Sequence, residues 1–71
     1  MHLDNRLEDV SNSQISFLID EWIHSERDRA ILKRRLCDHI FFEPLAEEFD
    51  LSVTQVKRII YRNQEKIFKR L

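Results

Sequence analysis

Glycine is absent from this sequence, proline occurs once, at Pro44, and cysteine once, at Cys37. The lack of glycine excludes a phosphate-cradling Walker loop, a dinucleotide fingerprint and a cheap two-residue hairpin turn, because each needs a residue that tolerates positive φ. A lone cysteine allows no internal disulfide and no cysteine-based metal cage. No apolar run exceeds three residues, as at Phe17–Ile19 and Ile40–Phe42, so nothing in the chain can span a membrane. The opening MHLDNRLEDV carries acids where a signal peptide needs a basic start and an apolar run, so a cytoplasmic location is expected. A length of 71 residues fits one small domain.

What is present is charge and helical periodicity. Charged residues make up 35% of the chain and apolar residues 42%, a balance that suits a folded helical domain. The net charge of −1 conceals a strong asymmetry. Residues 1–51 hold 6 Lys/Arg against 12 Asp/Glu, whereas residues 52–71 hold 6 against 1. A basic terminal segment on an acidic body points to an anionic partner for that end, most often nucleic acid.

Three capping boxes mark helix starts at 12, 26 and 53: Ser11-Asn-Ser-Gln14, Ser25-Glu-Arg-Asp28 and Ser52-Val-Thr-Gln55. Hydrophobic staples, Val10 with Ile15 and Leu51 with Val56, reinforce two of them. The first helix carries Ile15, Leu18, Ile19, Trp22 and Ile23 on one stripe, which predicts a core position for Trp22. A second helix runs from Glu26 to about Cys37. A short third helix fits Phe42–Phe49, with Pro44 tolerated in its first turn. The fourth, from Val53 to about Lys69, sets Val56, Ile59, Ile60, Ile67 and Leu71 against an opposite face of Arg58, Arg62 and Lys69, with Thr54, Tyr61 and Glu65 beside them. The expected fold is all-α: a small four-helix domain over residues 11–71, with residues 1–10 a flexible N-terminus.

The last two helices have helix-turn-helix spacing. Counting Phe42 as position 1, Leu45, Ala46, Phe49, Leu51, Val56 and Ile59 occupy positions 4, 5, 8, 10, 15 and 18, the apolar wedge of such a unit, with the small Ala46 at the close approach. Asp50 takes the turn position where glycine or asparagine is commoner. SERDRAILKRRL followed by FEPLAEEFDLSVTQVKRIIYRNQEKIFKRL resembles region 4 of bacterial RNA polymerase sigma factors, over about residues 12–71. The resemblance implies a last helix that reads the −35 promoter element of double-stranded DNA in the major groove, and docking on the flap of the RNA polymerase β subunit. Phe41 stands where that family has a Ser/Thr cap, Pro44 follows soon after, and His39 sits where glycine is common. There is no room for region 2, so the expectation is a free-standing region 4-like module, of the kind found in small transcription regulators of phage, plasmids or other mobile elements.

A recognition helix enters the groove with its first turns, so Val53, Thr54, Gln55 and Arg58 are expected at base edges and Lys57, Tyr61 and Arg62 at phosphates. Gln55 suits adenine and Arg58 guanine through bidentate hydrogen bonds, while the methyl groups of Thr54 or Val53 can touch thymine. Ser52 is expected to cap the helix and turn its free amides toward a phosphate. Lys66, Lys69 and Arg70 lie further along and are expected at the periphery. No enzyme is expected, since Cys37-Asp38-His39 is too tightly spaced for a nucleophile and base and no histidine pair lies at i, i+4 for zinc. No cofactor, metal or small-molecule substrate is expected. The alternative is a protein-interaction module of the same fold that binds RNA polymerase, a sigma factor or another protein without reading DNA; the acidic Glu43, Glu47, Glu48 and Asp50 offer it a surface.

Overall fold

The computed structural model describes residues 11–71, and these form four α-helices: α1 (Asn12–Trp22), α2 (Glu26–Leu36), α3 (Phe42–Phe49) and α4 (Val53–Phe68). The expected flexible N-terminus and the Val10 staple lie outside the described residues. All three serine caps are in place, with each hydroxyl accepting from the N3 amide: Ser11 from Gln14, Ser25 from Asp28 and Ser52 from Gln55. Only the last is a complete box, because only Gln55 returns its carboxamide oxygen to the capping residue's amide, at 3.0 Å. Asp28, the expected partner in the second box, turns its carboxylate elsewhere, accepting from Arg27 and Asn63.

The connections carry the backbone strain that a glycine-free chain must accept. Asp50 ends α3 in the left-handed region at φ 58°, with its own amide donating to Glu47 and the Leu51 amide donating to Ala46. That bond pair is the Schellman closure of a helix, here built on an aspartate. His39 sits at φ 61° in the α2–α3 connection, a left-handed backbone that glycine adopts without steric cost. Phe41 precedes α3 without any side-chain cap.

The core is a single cluster fed by every helix: Ile15, Ile19 and Ile23 from α1 and its end, Ile31 and Leu32 from α2, Leu45 and Ala46 from α3, and Val56, Ile59, Ile60 and Ile67 from α4. Phe49 and Leu51 pack on it, so all six positions of the expected apolar wedge face inward. The α4 helix packs against each of the other three, and α2 bridges α1 and α3.

Trp22 corrects the sequence expectation. It is 42% exposed, not core, and its ring is covered by the Arg70 guanidinium at 3.6 Å. The buried line of α1 is the i, i+4 series Ile15–Ile19–Ile23, whereas Leu18 and Trp22 lie one residue earlier in each turn, at the edge of the stripe. Asn63 was missed in the opposite sense: it is buried at a stripe position of α4, its amide donating to the Ile59 carbonyl at 2.9 Å and to Asp28 at 3.4 Å. Its place four residues from both Ile59 and Ile67 was the available signal.

Candidate nucleic-acid interface

The cap at Ser52 fixes where α4 starts, and the buried Val56, Ile59, Ile60, Asn63 and Ile67 fix which way it faces. The helical repeat then turns Thr54, Gln55, Lys57, Arg58, Tyr61 and Arg62 to the surface together, and all six are exposed, as is Ser52. Val53 differs, being half-buried and packed on the core, which withdraws much of its side chain from any groove. Gln55 is exposed, and its side-chain oxygen accepts the Ser52 amide through one lone pair, so a bidentate contact to adenine must use the other lone pair or open the box. Ser52 likewise spends its own amide within the box, and the first-turn amides without an intramolecular partner among the described residues are those of Val53 and Thr54.

The electrostatics of α4 are set by what its cations do not do. Among the described residues, neither Arg58 nor Arg62 makes an ion pair or an internal hydrogen bond. Lys57 stands with its ammonium 5.4 Å from the centre of the Phe42 ring, and the Tyr61 ring meets the same ring edge-on, centres 6.1 Å apart. Further along, Arg70 is spent on Trp22 and on the Lys66 carbonyl, while Lys66 and Lys69 are exposed. Thus, among the described residues, the free positive charge of the first turns belongs to Lys57, Arg58 and Arg62, which span six residues, about 8 Å of helix axis.

The acidic side chains divide in the same way. Glu48 takes the Arg34 guanidinium at 2.8 Å, a hydrogen bond and charge that push the Arg34 pKa further up, whereas Glu43 and Glu47 are exposed with no ion pair among the described residues. Between α1 and the end of α2, Cys37 lines a shallow groove with Asn12, Ser13, Ser16, Lys33 and Asp38. Burial, with the charge of Asp38 adding and Lys33 opposing, pushes its thiol pKa up, which disfavours the thiolate a nucleophile would need. Among the described residues no group of three His, Cys, Asp or Glu side chains is placed to hold a metal ion, and no helix is long and apolar enough to cross a membrane.

No family model matches the chain, and no curated protein or solved structure matches it either.

Proposed function

We propose that this protein is a non-catalytic, DNA-binding transcription regulator resembling sigma factor region 4, with α3 and α4 acting as a helix-turn-helix and the first turns of α4 lying in the major groove of a promoter-like site. The observation that carries this is the exposed face of α4, where Arg58 and Arg62 have no internal partner among the described residues beside a complete capping box. Arg58 and Thr54, one turn apart at the front of the helix, address base edges, and Arg62 with Lys57 addresses phosphates. Gln55 addresses adenine with the second lone pair of its side-chain oxygen or by opening the capping box, and Val53 contributes at most a methyl contact.

Two features favour a second reading, in which the chain binds RNA polymerase at the β flap, a sigma factor or another protein without reading DNA. Phe41 is 72% exposed at the entrance of α3, and Glu43 and Glu47, which have no ion pair among the described residues, would repel a duplex but suit a basic protein surface. Fluorescence anisotropy with a pool of promoter duplexes, at two salt concentrations, separates the readings. DNA binding gives an affinity that falls steeply with salt; capture of RNA polymerase with no duplex binding at low salt overturns it in favour of the protein partner.

A further inference from the structure

We propose that Phe42 is a positioning residue of the α4 surface, an assignment that rests on the DNA-binding role proposed for α4. Phe42 is the first residue of α3, half-buried and packed on the core, and its ring is the meeting point of three side chains from two other helices. The Arg35 guanidinium of α2 lies 4.4 Å from the ring centre, the Lys57 ammonium of α4 5.4 Å, and Tyr61 of α4 meets it at an interplanar angle of 80°. Arg35 is itself fixed by donating to the Ile40 carbonyl at 3.0 Å.

Both Lys57 and Tyr61 belong to the expected phosphate-contacting set, and both are exposed. A lysine on a free surface samples many rotamers and loses that freedom when it grips a phosphate. Lys57 is held in advance by the attraction between its charge and the face of an aromatic ring. The ring leaves the outer N–H groups of the ammonium open to an anion. Tyr61 is held by its edge-to-face contact, with its hydroxyl free to donate. Phe42 therefore lowers the ordering cost of binding without touching DNA. The two cations over this ring lie within about 10 Å of one another, near the screening length at 0.1 M salt, and neither has an ion-pair partner among the described residues. Their mutual repulsion is tolerated in the free protein and relieved when a phosphate arrives.

The test compares Phe42→Leu, which keeps apolar bulk but removes the ring, with Phe42→Tyr, which keeps the ring. Duplex affinity and its salt slope are read by anisotropy for the full chain. Phe42→Leu is expected to weaken every duplex about three- to tenfold with the salt slope unchanged, because Lys57 is still present to neutralise its phosphate, and Phe42→Tyr is expected to restore binding. In a double-mutant cycle the loss should shrink on a Lys57→Ala background and persist in full on an Arg62→Ala background. An equal loss on both backgrounds means the ring is only structural and overturns the assignment. Should Phe42→Leu fail to fold, the free wild-type chain still decides: ring-current upfield shifts are expected at the Lys57 Hε protons and not at those of Lys66, and equal shifts overturn the proposal. If the wild type binds no duplex at all, the DNA-binding role falls, and this assignment with it.

Discussion

The α2 and α4 helices carry similar loads of positive charge and put them to opposite uses. On α2, Arg27 pairs with Asp28, Lys33 with Asp20 at 2.8 Å, and Arg34 with Glu48, while Arg29 donates to the Ile23 and His24 carbonyls at the end of α1 and Arg35 to the Ile40 carbonyl. Every one of its five cations is occupied inside the fold. On α4, Arg58 and Arg62 have no such partner among the described residues, and Lys57 rests only on an aromatic face. A count of basic residues does not separate a scaffold helix from a binding helix. Their partners do.

The contrast gives graded expectations. Asn63→Asp should cost most, about 3 kcal/mol or more at neutral pH, because it sets a second carboxylate against buried Asp28 where α2 and α4 meet. Part of that loss should return as the pH falls and the introduced carboxylate protonates, which thermal melts across a pH series would reveal. Arg58→Ala should cost about 1–3 kcal/mol in binding to the preferred duplex and relax discrimination at one base pair, with the melting temperature nearly unchanged. Arg29→Ala should do the reverse, lowering stability by about 1–2 kcal/mol through the uncovered α1 carbonyls while leaving duplex affinity alone, as denaturant titration and anisotropy together would establish. The smallest effect is expected at His39→Gly, which releases the left-handed backbone at φ 61° and should raise stability by up to about 1 kcal/mol in the same titration.

These effects also mark what the sequence could disclose. Helix starts at 12, 26 and 53 were legible because a cap is a bond between residues three apart, and the demand for a left-handed residue at Asp50 was legible because the turn is equally local. The exposure of Thr54, Arg58, Tyr61 and Arg62 followed from the α4 wheel alone. Trp22 was misjudged because periodicity defines a stripe but not its buried centre, and the side chain that covers it, Arg70, lies 48 residues away. The Asp28–Asn63 contact and the gathering of Arg35, Lys57 and Tyr61 on Phe42 were illegible for the same reason, since each joins helices distant in sequence. Gln55 was assigned both to a capping box and to adenine; the box is present, and a contact to adenine would share the same side-chain oxygen through its second lone pair.

The most direct test of the division between the two helices is the salt dependence of duplex affinity for the wild type, Arg62→Ala and Arg34→Ala, measured side by side. Arg62 has no partner among the described residues and Arg34 is held by Glu48, so only Arg62→Ala should lower the slope of log K against log salt, by about one unit, weakening all duplexes alike. Equal slopes for all three proteins, or a loss confined to Arg34→Ala, would contradict the assignment of the α4 cations to a nucleic-acid partner.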